Sequence, residues 1–253
     1  MEPFLQNALI VTVGTLLGVP LALLTLLKRE DERLLDLGLG FTGGVMLVAS
    51  FTSLILPAWG GWGFWQVGLG VLGGVALIRL LDLFTPHEHL MRGYEGPPEL
   101  ADKVKRSWLV ALAITIHNIP EGLAVGVSTA YHVELGFVTA LAIAIQDVPE
   151  GVAVVMPLLR YKLVRTAVAV GVLSALVEGG AAVFSGVAAA GLPSVLGLAM
   201  GVAGGAMLYV TVAELYPDIY AEGKRKAYPT FGFITGVLLM LYLDTAFSPG
   251  FAL

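Results

Sequence analysis

The chain contains no cysteine. That excludes a disulfide frame, a thiolate metal site and a cysteine nucleophile, and it removes redox usage as a guide to compartment. Charge is scarce as well: 13% of the 253 residues are charged, against about 25% in an ordinary soluble domain. Lysine and arginine total 14 and the net charge is −5, so nucleic acid is not an expected partner. What remains is apolar. Hydrophobic residues make up 57% of the chain and the mean hydropathy is +0.85. A soluble globule of 26.6 kDa needs a polar exterior that this composition cannot supply. The composition therefore argues against a soluble enzyme and for a lipid bilayer as solvent.

A spanning helix takes about 20 apolar residues. Eight such segments can be read, at about 5–27, 34–56, 62–83, 107–130, 135–159, 164–190, 193–215 and 228–246. They are continuously apolar and lack the period-two alternation of barrel strands, so the expected fold class is an all-α integral membrane protein. Residues 1–253 read as a single transmembrane domain. The start, Met-Glu-Pro-Phe, has no basic flank, so the first segment reads as a retained span and not as a signal peptide.

Basic residues alternate along the chain. Lys28, Arg29 and Arg33 follow span one; Arg92, Lys103, Lys105 and Arg106 follow span three. Arg160, Lys162 and Arg165 follow span five; Lys224, Arg225 and Lys226 follow span seven. The positive-inside rule then places these four loops in the cytoplasm and both termini outside. The 32 glycines fall largely inside the spans, often four residues apart, as at Gly70/Gly74 and Gly232/Gly236. Such faces let helix backbones approach closely in lipid.

Four carboxylates lie deep inside spans: Glu121, Asp147, Glu150 and Glu178, accompanied by His117, Asn118 and Gln146. A charge at the bilayer centre costs at least ~2.5–3.5 kcal/mol, so these residues are functional by default. No span holds a basic residue deep enough to neutralise them, so a metal ion or protons must. Span four reads His117-Asn118-Ile119-Pro120-Glu121-Gly122, and span five Gln146-Asp147-Val148-Pro149-Glu150-Gly151. This internal repeat sits in spans of opposite direction, which predicts an inverted repeat about an axis in the membrane plane. Spacings of three and four residues put the polar groups of each motif on one helix side. Each proline removes a backbone hydrogen bond and predicts a kink. Oxygen and imidazole donors without thiolate suit divalent zinc, cadmium, iron, manganese or cobalt.

The paired motifs resemble the fourth- and fifth-span signatures of the ZIP family of metal transporters, closest to its bacterial GufA-like branch. The resemblance extends over the whole chain. It implies a divalent metal-ion transporter of the cell inner membrane, moving zinc or a related ion into the cytoplasm. It implies a binuclear site, with Asn118, Glu121, Asp147 and Glu150 near both ions, His117 and Gln146 completing one site and Glu178 the other. Pro86-His87-Glu88-His89 resembles the metal-binding part of the loop between spans three and four. Glu214 resembles the family's acidic exit position, and Met46 and Ser53 resemble residues near the outer entrance. The resemblance further implies that spans one, four, five and six move against spans two, three, seven and eight, within a homodimer. Many eukaryotic members carry His-Glu-x-Pro-His-Glu in span five, where Gln146, Asp147 and Gly151 stand here. Fewer imidazoles make the site harder and favour broad specificity.

Two other classes compete. An intramembrane metalloenzyme would pair a metal-bound water with a glutamate base, but the His-Glu-x-x-His helix is missing. A proton or sodium antiporter would use the carboxylates alone. The expected reading is a transporter and not an enzyme.

Overall fold

The computed structural model describes residues 1–25, 32–84, 87–89, 93–95, 106–160, 162–220 and 226–247. Most of them are helical. The helices are α1 (Glu2–Thr25), α2 (Glu32–Ala49), α3 (Leu56–Phe84), α4 (Arg106–Tyr131), α5 (Val133–Arg160), α6 (Val164–Ala190), α7 (Leu196–Tyr209), the short α8 (Tyr216–Ile219) and α9 (Ala227–Phe247). A π-helical turn, Ser50–Ile55, joins α2 to α3, and a second, Val210–Leu215, joins α7 to α8. Two three-residue strands, β1 (His87–His89) and β2 (Gly93–Glu95), pair antiparallel between α3 and α4.

Six helical runs among the described residues are long and apolar enough to cross a membrane. One of them, Arg33–Phe84, has 52 residues. At 1.5 Å per residue it would be about 78 Å long, more than twice a ~30 Å hydrocarbon core. It is broken at Gly63, whose φ of 76° and ψ of 171° require a residue without Cβ. The sequence suggested a loop between spans at 57–61. Those residues are helical instead, and the helical geometry breaks at Gly63. The run that matches span seven begins at Pro193 with a 3-10 turn, Pro193–Val195, before α7. It also continues through α8 to Ile219. α4 and α5 run on as helices through Pro120 and Pro149.

Large apolar side chains face outward all round, among them Leu17, Leu72, Phe184 and Leu238. A soluble protein would bury them; here they are the surface that meets lipid tails.

Packing follows the glycines. The most extensive contacts are α3 with α7, α2 with α9, α4 with α6 and α1 with α5. A Cβ on Gly40 would lie 2.2 Å from the Pro229 carbonyl oxygen, and one on Gly44 equally close to that of Phe233. Shifted by 161 or 162 residues, the same contacts recur: Gly201 against the Val67 carbonyl and Gly205 against that of Val71. The opposite faces match too, with Gly232 on Leu37 and Gly236 on Phe41, as Gly70 is on Leu198 and Gly74 on Val202. The α2–α9 seam and the α7–α3 seam are therefore one interface made twice. The sequence carries it: Gly40-x-x-Gly43-Gly44-x-Met46-Leu47-x-x-Ser50-x-x-Ser53-Leu54 aligns with Gly201-x-x-Gly204-Gly205-x-Met207-Leu208-x-x-Thr211-x-x-Glu214-Leu215. Asp82 of α3 falls opposite Asp244 of α9 in the same register.

Candidate metal centre

The middle of α4 and α5 carries the polar motifs, and both helices bury them. Glu121 and Gln146 are fully buried, and Asn118, Asp147 and Glu150 nearly so. Helical spacing puts Asn118 and Glu121 on one side of α4, and Gln146, Asp147 and Glu150 on one side of α5. α4 packs against α5, so the two polar faces meet. One oxygen each of Glu121, Asp147 and Glu150 lie within 4.8 Å of one another. Glu178 of α6, fully buried, adds a fourth carboxylate, close enough for its charge to act on Glu121 and Asp147.

Few donors hold these groups. The Gln146 amide nitrogen donates to Glu121, and Thr15 of α1 donates its hydroxyl to Glu178. Thr42 of α2 donates to the Gln146 main-chain oxygen at 3.0 Å. Seven buried oxygens then receive no hydrogen bond. They are Asn118 Oδ1, Glu121 Oε2, Gln146 Oε1, both carboxylate oxygens of Asp147, Glu150 Oε2 and Glu178 Oε1. Unpaired buried oxygens of this kind are individually costly, and a small cation would satisfy them.

His117 stands differently. Its Nε2 contacts a carboxylate oxygen of Glu214, on the π turn after α7. The negative charges of Glu150 and Asp82 also act on the ring. The sequence set Glu214 apart, at an exit position; the structure brings it onto the imidazole of the motif. The side chains lie 97 residues apart in sequence, and no local pattern announces such a contact. Asp82 of α3 is buried and belongs to the surroundings of His117. Thr15 was likewise missed, because a threonine in a helix ordinarily bonds to the carbonyl four residues back, as it also does here to Val11.

Met46 and Ser53 are both buried, Met46 on α2 and Ser53 on the π turn that follows, where its hydroxyl has no partner. Neither is among the oxygens grouped at Glu121, Asp147 and Glu150. His87, Glu88 and His89 form β1, and their side chains lie outside the described residues. A separate cavity of about 430 Å³ is lined by Thr52, Tyr131, Leu135, Asp244 and Thr245.

Sequence comparison agrees with this chemistry. The profile of the ZIP zinc-transporter family matches residues 85–244. The chain is 42% identical over 247 residues to the zinc transporter ZIPB of Bordetella bronchiseptica, covering 92% of this chain and 77% of that protein. It is 42% identical over 185 residues to the zinc transporter GufA of Myxococcus xanthus, covering 71% and 70%. The human zinc transporter ZIP11 is 32% identical over 314 residues, covering 88% and 91%. With a matching profile over more than half its length and such relatives along most of it, the chain belongs to the ZIP zinc-transporter family and is a multi-pass membrane protein.

Proposed function

We propose that the chain carries zinc across the cell inner membrane into the cytoplasm, through a binuclear site between α4 and α5. The observation that carries this reading is the buried group of Glu121, Asp147 and Glu150 oxygens, several of which receive no hydrogen bond. Asn118, Glu121, Asp147 and Glu150 serve both ions; His117 and Gln146 complete one site and Glu178 the other. Hard oxygen ligands with one imidazole also accept cadmium, iron, manganese or cobalt. Metal approaches past Met46 and Ser53 and leaves past Glu214 toward His87, Glu88 and His89.

The same reading gives eight spans in a single domain, with both termini outside. Breaking Arg33–Phe84 at Gly63 yields two spans from one helical run, and α4, with 26 residues, supplies another. On that topology α2 and α7 cross in opposite directions, so the doubled glycine seam is an inverted repeat. The extensive contacts of α1 with α5 and α4 with α6, and of α2 with α9 and α3 with α7, support grouping α1, α4, α5 and α6 against α2, α3, α7 and α9. We further propose that the chain works as a homodimer and performs no enzymatic turnover, in keeping with relatives named as transporters.

Radiolabelled zinc uptake into proteoliposomes tests the reading. The wild type should accumulate zinc down its gradient. A chain that moves sodium or protons but no zinc, or that cleaves a bond and moves nothing, contradicts it.

A further inference from the structure

α4 and α6 lie side by side in a fixed register. A Cβ on Gly122 would lie 2.3 Å from the Glu178 carbonyl oxygen, and one on Gly126 equally close to that of Ala182. Both pairs are 56 residues apart, and the same register sets Asn118 level with Ser174. Ser174 is fully buried and stands four residues before Glu178, one turn away on the same side of α6. Its hydroxyl has no hydrogen-bond partner. That is unusual in a helix, where the carbonyl four residues back is within reach. Ser50, Ser128 and Thr211 each take that bond at 2.7 Å, and Thr139 at 2.8 Å. Ser174 leaves the Val170 carbonyl unused. On the side away from Glu178 the wall is apolar: a Cβ on Gly171 would meet Val19 and Val155. Toward Glu178 stand two more oxygens without donors, Asn118 Oδ1 and Glu178 Oε1.

We propose that Ser174 is a further ligand of the transported metal, its hydroxyl oxygen completing the ion that Glu178 holds together with Asn118. The inference rests on the binuclear reading proposed above and adds a residue that neither motif contains. A buried hydroxyl left without a partner is costly, and a cation seated among the three oxygens removes that cost for all of them at once. Serine binds a cation through a lone pair and keeps its proton, so Ser174 adds a donor atom without adding charge. The ion on this side then meets oxygen alone, whereas the ion on the other side meets the His117 imidazole. Oxygen-only surroundings suit manganese and other hard ions, and an imidazole suits zinc. Ser174 thus makes the two sites unlike in what they prefer.

The absence of cysteine makes the test direct. Ser174→Cys places a single thiol in the protein, beside the proposed ion. The purified variant is titrated with cobalt, whose bond to a thiolate gives an intense near-ultraviolet charge-transfer band that oxygen and imidazole ligands do not give. Ser174→Cys should show the band. Ser185→Cys, seven residues beyond Glu178 and about 10 Å along α6, should not. Adding Glu178→Gln to Ser174→Cys should weaken the band several-fold, because carboxylate and thiolate share one ion. A cobalt-loaded Ser174→Cys protein without the band overturns the inference, as does a band of equal strength in the Ser185 control or one indifferent to Glu178→Gln. Ser174→Ala reads the native hydroxyl by calorimetry, and decides alone should the cysteine variant fail to insert. It should weaken one of two bound zinc ions about 10-fold and leave the other unchanged. Unchanged affinity for both means that the serine only packs, and refutes the proposal. Zinc binding and uptake by the unsubstituted chain are measured alongside. Two ions bound and zinc carried, with no band and no loss of affinity, sinks this inference alone. A single bound ion, or no uptake, sinks the reading on which it rests.

Discussion

In α4 the first polar residue of the motif, His117, contacts Glu214 of the π turn after α7; in α5 its counterpart Gln146 donates to Glu121 of α4. The seams behave otherwise. Gly74 on Val202 and Gly236 on Phe41 repeat one contact to within 0.2 Å, at 2.0 and 2.2 Å from an added Cβ to the carbonyl oxygen. A repeat is kept where two backbones touch, because a methyl group has no room there. It is broken at the polar motifs, where side chains and not backbones make the contacts. The chain thus holds a faithful pair of seams around an unfaithful pair of motifs.

The largest effects should come from the oxygens that both motifs keep. Glu121→Ala and Glu150→Ala should each reduce zinc uptake to background, at least ~100-fold, while the protein still purifies as a folded species. Near-normal uptake in both would remove the carboxylates from the pathway. The seams come next. Gly74→Val and Gly236→Val should be equally damaging, each costing about 3 kcal/mol or preventing folding, since the added atoms meet backbone. Gly180→Ala, with nothing within 4 Å, should be silent. Thermal unfolding in detergent compares the three, and a large difference between Gly74 and Gly236 would break the equivalence of the seams.

Smaller effects concern what orients the ligands. Thr15→Val removes the donor to Glu178 and should weaken zinc binding about 10-fold, the lower end for a residue that positions a ligand. Titration calorimetry reads this directly, and unchanged affinity would place Glu178 outside the site. Protons compete with metal for carboxylate oxygens and for the imidazole. At low pH protons prevail and zinc affinity falls; as pH rises the competition fades and affinity increases. Calorimetry in buffers of different ionisation enthalpy should therefore show protons released on binding at mildly acidic pH, and a count of zero contradicts it. The cluster titrates as a unit, so the count belongs to no single residue. Least of all should His87, Glu88 and His89 matter: replacing all three with alanine should change uptake by no more than about threefold. Complete loss in inserted protein would make the strand pair part of the conduit.

Sequence made the cluster legible because burying Glu121, Asp147 and Glu150 in apolar spans is too expensive to be accidental. It made the membrane class legible for the same reason, applied to the whole surface. Glu214 escaped as a contact of His117, because π-helical turns leave no clear mark in hydropathy and the pairing spans two distant helices. The seam repeat escaped because Gly-x-x-x-Gly is common in membranes, and only the carbonyls it meets distinguish one pair from another. The break at Gly63 was hidden among Gly60, Gly61 and Trp62, where several positions could turn the chain.

The π turns at Ser50–Ile55 and Val210–Leu215 leave each helix one residue out of phase with an ordinary α-helix. Removing a single residue from such a turn lets it close as a regular one, and everything beyond it rotates by about 100° about the helix axis. For Val210–Leu215 that rotation would carry Glu214 off the imidazole while α7 still packs on α3 through Gly201 and Gly205. The surplus residue is thus a ready-made dial, by which a one-codon deletion could re-aim the Glu214 carboxylate without redesigning the fold.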